Sequence, residues 1–173
     1  MNIDQRAFRD ALGCFVTGVT IVTSLDAEGR LLGITANSFS SVSLDPPLVL
    51  FSLARKAYSF DAFRSSRHFA VNVLASDQSE LSDTFAKALA DKWAGVAFDV
   101  WDTDCPIITG ALAQFECRTV STHDGGDHVV FIGAVERMAL DPDKEPLVYY
   151  RGRYRELGAE PVAAAPERTG AAP

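Results

Sequence analysis

The spacing of hydrophobic and polar positions changes several times along the chain. Phe8, Ala11, Leu12 and Phe15 recur at helical intervals after Asp4, which predicts a short amphipathic helix capped by Asp4, with Gly13 and Gly18 flanking its end. The β-branched run "GVTIVTSL" is closed by "DAEGR" and leads into "LLGITANSFSSVSL", a hairpin signal. After Asp45-Pro46-Pro47, "LVLFSL" reads as a fully apolar strand. "SFDAFRSS" predicts a short helix from near Ser59, and "HFAVNVL" returns to strand. "SDQSELSDTFAKAL" predicts a helix opening at Ser76 or Asp77, with Leu81, Phe85 and Leu89 on one face. Two long strands, "ALAQFECRTVSTH" and "HVVFIGAVERMAL", are joined across Asp124-Gly125-Gly126-Asp127, and "PLVYYRGRYREL" comes last.

Most of this regular structure is strand, and the helices are short. No strand, glycine-rich loop and helix follow one another, and neither GxGxxG nor GxxxxGK[ST] occurs. The fold expected is mainly β: a compact antiparallel barrel with short peripheral helices. Residues 1–157 are expected to form one domain, and the aperiodic Ala/Pro-rich tail 158–173 to be disordered.

Composition narrows the partners. The chain has 173 residues, of which 47% are apolar, enough for a core without metals or disulfides. Its 16 basic against 23 acidic residues, net −7, argue against nucleic acid or an anionic membrane. Cys14, Cys105 and Cys117 form no CxxC pair and are odd in number, so they read as buried thiols. The N-terminus is charged where a secretory signal would be apolar, and no run is long enough to span a bilayer. A cytoplasmic protein without an anchor is expected.

The candidate chemistry lies in "GITANSFSSVSLDPP", Gly33 to Pro47. Read as one strand, it has no clean apolar face in either register. Its neutral hydrogen-bonding groups, with Phe39 among them, suit the edge and face of a planar heteroaromatic ligand. Downstream, Arg55 and Lys56 precede a helix start near Ser59, a combination suited to phosphate. Together these suggest a phosphorylated flat cofactor, and a flavin nucleotide fits best. The bland alternative is a solvated sheet edge. His68 reads as structural and His123 as part of a hairpin end; no HExxH, GxSxG or activated cysteine is present.

The residues also carry a resemblance. "TGVTIVT", G-x-T-A-N-S-F-x-S-x-S-x-D-P-P-L and "GDH" opening a strand occur in that order. With their flanks they resemble the short-chain flavin reductases, the small components of two-component flavin monooxygenases, built on the FMN-binding split barrel. The resemblance implies that Gly33, Ile34, Thr35, Ala36, Asn37 and Ser38 run along the flavin ring, next to Phe39. It places Ser40 and Ser41 toward the ribityl and phosphate end. Ser52, Leu53, Ala54, Arg55 and Lys56, with Ser59 and Phe60, match the phosphate-side contacts, and Phe85 and Ala86 a further flavin contact. His128 matches a histidine near the nicotinamide and is the candidate catalytic residue, as a positioning group. Arg151, Gly152, Arg153 and Tyr154 lie where the family closes over the nicotinamide nucleotide.

The implied activity is hydride transfer from NADH, with NADPH left open, to FMN or FAD. The implied partners are a second copy of the chain and an oxygenase that receives reduced flavin. A split-barrel oxidase related to the pyridoxamine-phosphate enzymes, a flavin carrier without turnover, and an interaction module are the alternatives.

Overall fold

The computed structural model describes residues 3–88 and 91–158. Among the described residues, three helices, α1 (Gln5–Leu12), α2 (Phe60–Ser65) and α3 (Ser79–Ala86), are interspersed with twelve strands. The first six strands are β1 (Thr17–Gly18), β2 (Thr20–Leu25), β3 (Leu31–Ala36), β4 (Ser40–Leu44), β5 (Pro47–Ala54) and β6 (His68–Val73). The others are β7 (Phe98–Val100), β8 (Pro106–Ile108), β9 (Ala113–Gly125), β10 (His128–Leu140), β11 (Val148–Tyr150) and β12 (Arg153–Arg155).

Seven strands form one antiparallel sheet in the order β3-β2-β6-β9-β10-β5-β4. The fold is therefore mainly antiparallel β, as the pattern predicts. The polar segment behaves differently from its reading as one strand. Its first part is β3, at one edge of the sheet, and its second part is β4, at the other edge. Two strands with different surroundings explain why neither register was clean.

The connection Asn37–Phe39 must carry the chain from one edge to the other. Three residues reach only about 10 Å when extended, so the sheet has to curl until its edges nearly meet. The ladder does not close: the two edges touch at a clasp in which Ser38 Oγ accepts from Ser52 N (2.9 Å) and donates to Ser52 O (3.1 Å). The result is a barrel split along the gap between β3 and β5.

Alternation fills the inside. Val49, Phe51 and Leu53 of β5 and Val129 and Phe131 of β10 are buried, and their neighbours along each strand are not. Phe51 stacks on Phe131 (4.9 Å between centroids) and meets Phe69 of β6 edge-on at 5.0 Å. Gly133 leaves room for this cluster, since a Cβ there would come within 2.8 Å of Phe69 Cε1 and 2.9 Å of Cys117 Cβ. β6 is buried on both faces because the β7–β8 ribbon covers its outer side. Asn72 fastens that ribbon: its Oδ1 accepts from Ile108 N (2.8 Å) and its amide donates to Ile21 O (3.1 Å). Thr23 adds a bond to Pro106 O at 2.6 Å.

Asp4 caps α1 as predicted, accepting from Ala7 N at 2.8 Å. The apolar side of that helix is not buried, however: Phe8 is 52% and Leu12 58% exposed, and Phe15, expected on the same face, lies beyond the helix end and is 77% exposed. α2 begins just after Ser59. α3 opens at Ser79, later than expected, because the Ala75–Gln78 turn precedes it, with Gln78 Oε1 accepting from Ala75 N. Its Leu89, like residues 159–173 of the tail, lies outside the described residues. "PLVYYRGRYREL" is a hairpin, β11–β12, turning at Arg151 and Gly152 (φ 50° and 75°). No described helix is long and apolar enough to cross a membrane.

The cysteines divide unequally. Cys105 and Cys117 are buried, and burial pushes their thiols up to about 11 and about 12. Cys14 is exposed just after α1, contrary to the expectation of three buried thiols, because neither α1 nor the turn that follows it packs into the core. A thiol reagent should therefore titrate one cysteine rapidly in the native protein and three in denaturant; two fast native thiols would contradict the packing around Cys105 and Cys117.

Candidate active site

A cavity of about 410 Å³ occupies the gap where the sheet fails to close. β3 and the start of its connection (Leu31 to Ser38) form one wall, and the end of β5 (Ser52 to Ala54) the other. Ala57 to Ser59, His128, Phe85 and Ala86 at the end of α3, and Lys87 and Ala88 just after it complete it, together with Lys92 and Trp93.

Strand geometry dictates what these walls offer. Along a strand, successive backbone groups point to opposite edges. Leu31 O accepts from Trp93 Nε1 (3.1 Å) and Gly33 O from Lys92 Nζ (3.4 Å), so Leu31, Gly33 and Thr35 share the edge of β3 that has no partner strand. Across the gap, Ser52 turns its N–H and C=O toward Ser38, and Ala54, two residues on, turns its N–H the same way. The N–H groups of Gly33, Thr35 and Ala54 thus project from strand edges that no other strand covers. Backbone groups left unpaired in a cleft are costly unless something else satisfies them.

Several side chains are already committed. Thr35 Oγ1 donates to Ser82 O at 2.6 Å and retains only acceptor capacity. Ser38 is spent on the clasp. Asn37 is exposed and makes no side-chain hydrogen bond among the described residues, so both its donors and its acceptor are free. His128 stands opposite Ala54 in the β10–β5 register, its Nδ1 2.8 Å from Asp127 Oδ1. That hydrogen bond, first among the causes, lowers the Asp127 carboxyl below its usual range.

The chain matches the family described as "Flavin reductase like domain" over residues 12–158. It belongs to that family. An NADH-dependent FMN reductase of Agrobacterium fabrum is 46% identical over 156 residues, covering 87% of this chain and 85% of the relative. A Rhizobium meliloti flavin reductase is 43% identical over 166 residues, 95% of this chain, yet the chain spans only 53% of that protein's length. Among solved structures, nitrilotriacetate monooxygenase component B from Mycobacterium thermoresistibile superposes with a TM-score of 0.88 at 40% identity, covering 97% of this chain and 96% of that one.

In this flavin reductase-like chain the sequence-derived candidates fall into three groups. Gly33, Ile34, Thr35, Ala36, Asn37 and Ser38 line the cavity, as do Ser52, Leu53, Ala54, Ser59, Phe85, Ala86 and His128. Phe39, Ser40, Ser41, Arg55, Lys56 and Phe60 do not. Phe39 stacks on Phe115 at 5.8 Å, Phe60 is buried in the core, and Ser40 and Ser41 are exposed on β4. Arg55 is held by Asp124 and by Gly126 O at the β9–β10 turn.

Arg151, Gly152, Arg153 and Tyr154 form the third group. Arg151 and Gly152 line an adjoining cavity of about 1040 Å³, and Gly152, Arg153 and Tyr154 one of about 320 Å³. All three cavities meet at Asn37. The hairpin is fixed there by Tyr154, whose hydroxyl lies 2.7 Å from Asp83 Oδ1 and 2.9 Å from Ser82 Oγ.

Sequence reasoning passed over Lys92 and Trp93, which stand in an aperiodic stretch after α3. Trp93 packs edge-on against Phe85 at 4.9 Å, and the pair leaves no room for a side chain at Gly33. A Cβ on Gly33 would sit 2.5 Å from Phe85 Cδ1 and 3.1 Å from Trp93 Cζ2. Gly33→Ala is expected to cost roughly 1–3 kcal/mol by overpacking, read as a lower melting temperature. Unchanged melting would mean that the Phe85–Trp93 wall yields freely.

Proposed function

We propose that the protein transfers hydride from NADH to a flavin bound in the cleft between β3 and β5, and that it supplies the reduced flavin to a separate oxygenase component. The observation that carries this reading is the pair of unpaired strand edges facing each other across the cavity, in a chain of the flavin reductase-like family. A flavin fits the residues present. Its carbonyls and ring nitrogens accept hydrogen bonds, and Gly33, Thr35 and Ala54 offer backbone N–H groups at that spacing of elements. Leu32, Ile34 and Leu53 offer apolar surface beside them.

When bound, the flavin supplies an acceptor for two electrons and a proton carried together as hydride. The protein's share is orientation: it holds two flat rings in contact and keeps other geometries out. Asn37, at the junction of the three cavities, is placed to touch both nucleotides. His128, half-exposed and oriented by Asp127, positions the nicotinamide rather than moving a proton. Arg151 to Tyr154 close over the nicotinamide nucleotide from the adjoining cavities. NADH and FMN are favoured because the Agrobacterium relative is named for that pair. FAD shares the same ring and first phosphate. The oxygenase follows from the Mycobacterium neighbour, a monooxygenase component. A homodimer would cover the exposed apolar side of α1, and free cysteines suit a cytoplasmic setting.

Desalted protein should oxidise NADH only when flavin is added, with saturation in FMN or FAD and slower turnover of NADPH. Absence of oxidation with every flavin, despite flavin binding, would replace the reductase by a carrier. His128→Gln should raise KM for NADH several-fold while leaving flavin affinity unchanged; an altered flavin affinity with normal KM would place the imidazole at the flavin instead.

A further inference from the structure

Lys92 is a partly buried cation with no ion-pair partner among the described residues. Its Nζ lies 3.0 Å from Phe85 O and 3.4 Å from Gly33 O, and it lines the cleft. Two of the ammonium's three donors are thus occupied, and one is left over. Arg30, Arg55, Arg118, Arg137 and Lys144 each have a carboxylate partner, and Lys92 has none among the described residues. The adjacent Asp91 is engaged elsewhere, accepting from Trp93 N and Ala94 N. Burial alone lowers the lysine's pKa, with no carboxylate to raise it again.

A desolvated charge held by neutral dipoles is costly, and it is relieved by an anion. Phe85 O belongs to the last turn of α3, where the free carbonyls of a helix end favour a cation and keep the lysine in place. What lies in front of it is the cleft.

We propose that Lys92 is the counter-charge for reduced flavin, holding the anionic product of hydride transfer more tightly than the oxidised substrate. This rests on the reductase reading above. In the transfer the C4–H bond of the nicotinamide breaks and an N–H bond forms at flavin N5. Two electrons and one proton move together, NADH becomes NAD⁺, and the flavin gains one negative charge, which spreads over the pyrimidine edge. That edge is the one rich in acceptors, and Gly33 and Thr35 present their N–H groups from the same strand edge on which Gly33 O holds Lys92. A flavin seated with its pyrimidine edge on those N–H groups would carry its new charge beside the ammonium.

A phosphate is the other anion that a lysine could meet here. It is charged equally before and after reduction, and riboflavin lacks it. The two cases separate cleanly.

The experiment measures dissociation constants of oxidised and reduced FMN and of oxidised and reduced riboflavin, anaerobically and at mildly alkaline pH, for wild type, Lys92→Met, Lys92→Gln and Lys92→Arg. Wild type should bind reduced FMN and reduced riboflavin more tightly than the oxidised forms. Lys92→Met and Lys92→Gln should lower that preference about tenfold for both flavins, equivalent to about 30 mV in the two-electron midpoint potential of the bound flavin. Lys92→Arg should keep most of it. Trp93 emission and thermal melting report whether each variant is folded.

Equal affinity of wild type for oxidised and reduced flavin overturns the proposal without any variant. A loss confined to FMN and equal in both redox states overturns it in favour of a phosphate contact. An unchanged preference in folded Lys92→Met or Lys92→Gln reduces Lys92 to a tether for the segment after α3. Failure of wild type to bind any flavin would remove the reductase reading itself, which the other outcomes leave standing.

Discussion

Backbone polar groups have to be satisfied, and a sheet that curls without closing leaves two rows of them facing each other. Everything functional in this protein is arranged around that constraint. Ser38 satisfies Ser52 with a single side chain and fixes how far apart β3 and β5 stand. Were the ladder continued past this clasp, Gly33, Thr35 and Ala54 would spend their N–H groups on each other's strands and the cleft would vanish. The clasp thus both joins the edges and limits their joining.

The second layer keeps the gap shaped. Phe85 and Trp93 press on Gly33 from outside the sheet, and Trp93 Nε1 and Lys92 Nζ take up the carbonyls of Leu31 and Gly33. Only the donors of that edge then remain for a ligand. Thr35 and Tyr154 both bond into the Ser82–Asp83 turn of α3, so one helix fixes β3 and the β11–β12 hairpin together. Cavities on either side of Asn37 are held in register by that shared helix. For a reaction that asks mainly for two rings in contact, such rigidity is the contribution that matters.

Much of this was legible in the sequence where the cause is local. The Asp4 cap, the "DAEGR" hairpin and the Asp124–Asp127 turn follow from turn chemistry, and each appears where it was expected, whereas β5, which reads as fully apolar, buries only alternate residues. The stretch Gly33 to Ser38, its motif and the family it belongs to were also readable. What misled was the assumption that an unbroken polar run is one strand. Nothing in Asn37-Ser38-Phe39 announces a crossing between opposite edges of a sheet, because the edges are neighbours only after the sheet has curled.

The chain by itself therefore determined the element types, the antiparallel class and the segment that lines the cleft, since propensity, period and motif are properties of neighbouring residues. Tertiary structure alone decided which polar groups are free. It committed Thr35 and Ser38 to the scaffold, drew Arg55 to Asp124 and away from the cleft, left the apolar side of α1 uncovered, and brought Lys92 from an unremarkable loop to the strand edge at Gly33. Those outcomes depend on hydrogen-bond partners separated by tens of residues, and a side chain's chemistry is available only when no such partner has claimed it.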